Sequence, residues 1–252
     1  MQRLWQQSLR ASVMAWLLIC TPTAWSDEAL IAVATNFKVV AERLLQQFHE
    51  QQPTHRLRLV SASTGKLYAQ ILNGAPFDLF LAADAQRPQR LEQQGLTVTE
   101  SRHTYALGQL ALLGQQPVMA DTLFTTTIHS LAMANPNLAP YGLAAQQTLG
   151  HLNVQLQPST KVVLADNIGQ VYAMVATGNA QLGFVALANL SEPDKMRAWL
   201  VPTEYHQPIA QQLVLMHRAA DNSAALAFLA FMQTSTTVDT IKSFGYQVNP
   251  ND

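Results

Sequence analysis

The chain has almost no cysteine: Cys20 is the only one among 252 residues. Intrachain disulfides are therefore excluded, and so are cysteine-rich scaffolds and multi-cysteine metal sites. Charge is scarce as well. Asp, Glu, Lys and Arg make up 12% of the residues, and 15 basic against 16 acidic side chains leave a formal net charge of -1. No basic excess exists to attract nucleic acid, and no acidic tail stands out. Long apolar runs are missing too. The run from Ala11 to Cys20 (ASVMAWLLIC) is shorter than the roughly 20 apolar residues of a spanning helix, and no later stretch qualifies.

Familiar catalytic signatures are absent. The histidines (His49, His55, His103, His129, His151, His206 and His217) form no H-x-x-x-H or H-E-x-x-H pair, so a zinc site is not expected. Ser61-Ala62-Ser63-Thr64-Gly65 is not a nucleophile elbow, because its first position is Ser rather than Gly. Gly65-Lys66 is not a phosphate-binding P-loop, because Leu67 stands where Ser or Thr belongs. Asp78 and Asp84 flank a strand, but no base, nucleophile or metal partner accompanies them, and Asp78 within FDLF reads as a cap or salt-bridge residue.

What is present is a large apolar fraction, 48%, enough to build a core for one large domain or two small lobes. The first 26 residues read as a secretion signal: Arg3 and Arg10 precede the apolar run, and Ala24 and Ser26 flank Trp25 in a cleavage pattern, with cleavage expected before Asp27. Ile19 before Cys20 is not small, so lipidation is not expected. The rest alternates between strand and helix patterns. Strands are expected at Leu30 to Ala34, Arg56 to Val60 and Phe77 to Ala82. Helices are expected at Lys38 to His49, Lys66 to Asn73 and Gln86 to Gln94, the last two ending at Gly74 and Gly95. The middle repeats the idea, with strands at 110–113, 130–134, 161–164 and 182–187. Its helices fall at 143–149 and 168–177, closed by Gly150 and Gly178. A strand at 211–216 and helices near 224–232 and 238–244 finish the chain. This is α/β order, with a sheet covered by helices. No composition shift marks a linker, so two lobes would be joined by crossing strands, expected near Tyr105 and Gln207.

Four strand ends are polar. Thr35-Asn36 follows the first strand, and Ser61 to Gly65 follows the second. Asn135 to Gly142 and Asp166 to Gly169 each precede a helix. Ligands of open α/β sheets bind at the carboxyl ends of strands. Each turn opens a helix, whose first N–H groups lack intrahelical partners and carry partial positive charge. Four converging turns make an anion site without Lys or Arg. Taken singly, such residues are ordinary helix caps. The run of three hydroxyls before Gly65 exceeds what one cap needs.

Together these segments resemble the periplasmic molybdate-binding proteins of ABC importers, from about Leu30 to Val248. The telling stretches are ATNF at Ala34, STGKLYAQILNGAPFDLFLAAD from Ser63, NPNLAPYGLAA from Asn135, DNIGQ from Asp166 and LGFVALA from Leu182. The resemblance implies a two-lobed periplasmic binding protein fold of type II, with mixed sheets, helices on both faces and a ligand cleft between lobes. Lobe I would span residues 27–105 and 208–252, and lobe II residues 106–207. It implies oxyanion ligands at Thr35, Asn36, Thr64, Tyr141 (backbone) and Ile168 (backbone N–H). One branch of the family adds a tyrosine hydroxyl where this chain has Ala186, and the Tyr141 side chain is a candidate replacement donor. No cofactor is implied, and molybdenum enters only as molybdate. Expected partners are the oxyanion and a membrane permease, with no nucleic acid, and a monomer is expected. Molybdate near neutral pH accepts hydrogen bonds and donates none, which suits a site of N–H and O–H groups. Tungstate matches it closely. Another tetrahedral anion such as sulfate, or a periplasmic hydrolase acting on phosphoesters, is the alternative.

Overall fold

The computed structural model describes residues 28–248; the expected secretion signal lies outside the described residues. In chain order the first part comprises β1 (Glu28–Ala34), α1 (Lys38–Gln51), β2 (Arg56–Ala62), α2 (Thr64–Leu72), β3 (Leu79–Leu81), α3 (Gln86–Gln93) and β4 (His103–Gly108). The second part holds β5 (Leu110–Gly114), α4 (Thr122–Thr125), β6 (Ser130–Ala134), α5 (Pro140–His151), β7 (Lys161–Ala165), α6 (Ile168–Ala176), β8 (Leu182–Ala186), α7 (Glu192–Arg197) and β9 (Trp199–Leu200). The chain then returns through β10 (Ile209–Leu215) and closes with α8 (Ser223–Met232) and α9 (Ser235–Ser243).

Two five-stranded sheets result, ordered β2-β1-β3-β10-β4 and β7-β6-β8-β5-β9. Both are mixed: β1 is parallel to β2 and β3 while β10 runs antiparallel to β3 and β4, and β6 is parallel to β7 and β8 while β5 runs antiparallel to β8 and β9. β4 stays in the first sheet to Gly108, so the chain enters the second sheet across Gln109 and returns over residues 201–208.

Each sheet has its own core. β1 and β8 are interior strands of their sheets, and their apolar runs are buried on both faces, as in strands covered by helices on either side. One face of the first sheet packs Phe37, Leu44, Phe48 and Phe228, and the other packs Leu67, Ile71, Phe80 and Leu91. Leu112, Leu131, Val171 and Phe184 centre the second.

Register positions the loops that matter. Ala34 lies opposite Ala62 at the ends of β1 and β2, so the turns at Thr35 and Ser63 emerge side by side. Ala134 lies opposite Ala165 at the ends of β6 and β7, which sets Asn135 beside Asp166.

The expected C-terminal glycines at Gly74, Gly95 and Gly178 have φ of 82, 69 and 76°, the left-handed region that suits glycine after a helix. Gly150 differs. The helix expected over 143–149 runs from Pro140 to His151 and carries Gly150 inside its last turn. Pro140 at its first turn supplies no N–H where none is needed and starts the helix earlier.

Candidate functional site

Four turns meet between the two sheets. Ala34, Thr35 and Asn36 follow β1, Ser63 and Thr64 open α2, Ala139 to Tyr141 open α5, and Asn167 and Ile168 open α6; together with Ala83 they line one small cavity of about 10 Å³. That is far below the roughly 300–1,000 Å³ of pockets for organic ligands. All five residues singled out from the sequence, Thr35, Asn36, Thr64, Tyr141 and Ile168, border it.

The openings of the helices explain what faces this cavity. Thr64, Pro140 and Ile168 are the first helical residues of α2, α5 and α6, so the N–H groups of Thr64, Tyr141 and Ile168 have no acceptor within their own helices. At α2 and α5 the cap residues Ser63 and Ala139 make no side-chain cap bond. At α6 the cap is Asn167, which accepts from the Gln170 N–H at 3.1 Å. Asp166 is free of that duty, and its carboxylate instead accepts from Lys66 Nζ of the first lobe at 2.6 Å. Thr64 Oγ1 accepts from the Ala83 N–H at 3.1 Å, which leaves its hydroxyl proton free to donate.

Behind Asn36 lies a buried polar network. The Asn36 side-chain amide donates to Gln211 Oε1 at 2.8 Å and to the Tyr246 hydroxyl at 3.1 Å, and that hydroxyl donates to the Asn36 carbonyl at 2.9 Å. Tyr105 donates to Gln211 Oε1 and to the Ala82 carbonyl, both at 3.1 Å. Gln211 Nε2 in turn donates to the Tyr141 hydroxyl at 3.4 Å. Burial pushes the Tyr105, Tyr141 and Tyr246 hydroxyls up from the ordinary tyrosine value, so all three remain protonated. Gly108, at the crossing between sheets, lies under this network: a Cβ there would collide with the Tyr141 hydroxyl and meet Gln211 Nε2 at 2.8 Å. The Tyr141 side chain, a candidate replacement donor in the sequence reading, is thus engaged with the crossing strands. Its N–H, in the first turn of α5, has no acceptor within the helix. Ala186 is fully buried and brings no polar side chain.

Sequence reasoning overlooked Ser63, which is buried at the cavity wall, and Asn189, whose Nδ2 donates across the cleft to the Asn36 carbonyl at 3.1 Å. Ser63 was signalled by the run of hydroxyls; nothing local signalled Asn189. The carboxylates flanking β3 are not a pair. Asp78 accepts from the Leu30 N–H at 2.7 Å and from Arg218 at 2.8 Å, while Asp84 is held by Arg87. A wider cleft of about 520 Å³ adjoins the cavity and shares Ala83 and Pro140 with it. Its charged residues, Asp84 and Arg87, neutralise one another, so the electropositive helix openings remain the better anion seat. Among the described residues no group of three His, Cys, Asp or Glu could hold a metal ion.

A family profile described as bacterial extracellular solute-binding protein matches residues 29–247. The chain belongs to this family. Among its relatives, the molybdate-binding protein of Azotobacter vinelandii is 39% identical over 92% of this chain and 94% of its own length. The molybdate-binding protein of Rhodobacter capsulatus is 36% identical over 95% and 97%. The solved structure of the Azotobacter vinelandii periplasmic molybdate-binding protein superposes with a TM-score of 0.82 at 37% identity, covering 88% of this chain and 99% of that one. The two mixed sheets with helices are accordingly the two-lobed fold of periplasmic solute-binding proteins.

Proposed function

We propose that this solute-binding protein captures molybdate, or the near-identical tungstate, in the periplasm and delivers it to the permease of an ABC importer, without catalysing a reaction. The observation that carries this reading is a cavity rich in N–H and O–H donors and lined by no charged side chain. Helix-opening N–H groups and hydroxyls converge there, and the single carboxylate of the four loops, Asp166, is occupied by Lys66. A phosphate that retains a proton is best served by a carboxylate acceptor, and none lines this cavity. A fully deprotonated tetrahedral dianion needs only donors. The five contacts expected from the resemblance, at Thr35, Asn36, Thr64, Tyr141 and Ile168, come from both lobes, so the anion would bridge them and favour closure.

Sulfate is the second reading, since it has the same charge and shape and differs in size. Isothermal titration of the protein from Asp27 with molybdate, tungstate, sulfate and phosphate separates them. One-to-one binding of molybdate and tungstate, undisturbed by excess sulfate, is the expected result. Preference for sulfate or phosphate would replace the proposed ligand, and silence toward all four would overturn the transport reading.

A further inference from the structure

Ser63 sits at the N-cap of α2 with φ −63° and ψ 148°, the extended geometry in which a serine ordinarily turns its oxygen onto the N–H of the second or third helical residue. It does not do so here. The N–H of Gly65, the second helical residue, donates instead to the Leu138 carbonyl of the other lobe at 2.8 Å. The Ser63 side chain is only 3% exposed, and its Oγ has no hydrogen-bond partner among the described residues. Buried hydroxyls are rarely left so, because the lost hydration is not replaced. Ser63 also lines the cavity beside Thr64, at the opening of a nine-residue helix. Capping does not explain this hydroxyl, whereas an acceptor inside the cavity would.

We infer that Ser63 Oγ donates a hydrogen bond to the bound oxyanion, giving the first lobe two adjacent hydroxyl donors, Ser63 and Thr64. This inference rests on the anion-binding reading above and adds a side-chain ligand to it. The contact discriminates by size as well as charge. A hydroxyl fixed at the cavity wall meets an oxygen of the anion only when the metal–oxygen or sulfur–oxygen bond has the right reach, so Ser63 helps set which oxyanion fits.

The test begins by titrating the wild-type protein with molybdate, tungstate, sulfate and phosphate, and then repeats the titration on Ser63→Ala and Ser63→Thr with the anion that binds tightest. Ser63→Ala is expected to weaken binding about ten- to hundredfold, the effect of removing one hydrogen bond to a charged group. The melting temperature of the ligand-free protein should stay unchanged. Ser63→Thr, which keeps the hydroxyl, should recover most of the affinity. Wild-type binding with Ser63→Ala affinity within about twofold of it would overturn the inference while leaving the anion-binding reading intact. A lower ligand-free melting temperature at unchanged affinity would assign Ser63 to the helix cap and overturn it equally. Absence of wild-type binding to all four anions would remove the reading itself, and the inference with it.

Discussion

Thr64 uses one oxygen in two ways. Its Oγ1 accepts from the Ala83 N–H, which ties the opening of α2 to the end of β3, and its proton is free for the cavity. Thr64→Ser keeps both interactions, while Thr64→Ala removes both and leaves the Ala83 N–H unsatisfied in a buried place. Thr64→Ala is expected to weaken anion binding about ten- to hundredfold, and Thr64→Ser by no more than about threefold. Thr35→Ala should act in the same direction. Titration calorimetry reads all three, and unchanged affinity in both alanine variants would remove the four turns as the anion site. The side-chain types at the cavity were legible in the sequence because each stands in a polar turn before a helix. What each side chain bonds was not. Asn36 spends its amide on Gln211 and Tyr246, and Ser63 is spared from capping because Leu138 takes the neighbouring N–H. These partners are far apart in sequence, and no local pattern encodes them.

Secondary-structure elements were legible wherever periodicity was strong. The strand expected over 130–134 is β6, Ser130–Ala134, and most other predicted strands and helices differ only at their ends. β4 was foreseen only as a crossing strand near Tyr105, without bounds, because half-buried His103 and Thr104 interrupt its apolar alternation; it exists because β10 pairs with it. The short α4, α7 and β9 carry too few residues for a period to show. Between the lobes a close fit occurs at α2, where Gly65 approaches the loop before α5: a Cβ on Gly65 would lie 2.9 Å from the Leu138 carbonyl oxygen and 3.0 Å from its Cα, both backbone atoms that cannot swing aside. Gly65→Ala therefore has two effects of opposite sign. Within α2 alanine is the better helix former by up to about 1 kcal/mol. Across the cleft, overpacking costs about 1–3 kcal/mol. The variant should bind the anion about five- to 150-fold more weakly, with no loss of melting temperature in the ligand-free protein. Calorimetry and a thermal melt check the pair of readings. A ligand-free melting temperature that falls together with affinity would place the damage in the fold rather than in closure.

At the scale of the whole molecule, the lobes touch through few direct bonds near the cavity. Gly65 N–H donates to the Leu138 carbonyl at 2.8 Å, Arg87 to the Asn137 carbonyl at 3.0 Å and Asn189 to the Asn36 carbonyl at 3.1 Å, while Lys66 pairs with Asp166 at 2.6 Å. The ion pair is 43% and 55% exposed, so it is screened and contributes about 0–1 kcal/mol. Closure held by so little leaves the anion as the main bridge, and a ligand shifts such an equilibrium only through contacts it makes better in one state. The cavity is lined from both lobes, so those contacts are complete only when the lobes meet. The bridge has a thermal signature. Ligand at a hundred times its Kd adds about 2.7 kcal/mol to stability. In a chain of this size each kcal/mol raises the melting temperature by about 2–4 °C, so molybdate should raise it by about 5–11 °C. Differential scanning calorimetry with free molybdate at about a hundred times its Kd checks this. If the anion joins the lobes, the whole endotherm moves up as one transition. If one lobe alone holds the anion, the endotherm splits, part of the heat stays at the ligand-free temperature, and the bridging role of the four turns is lost.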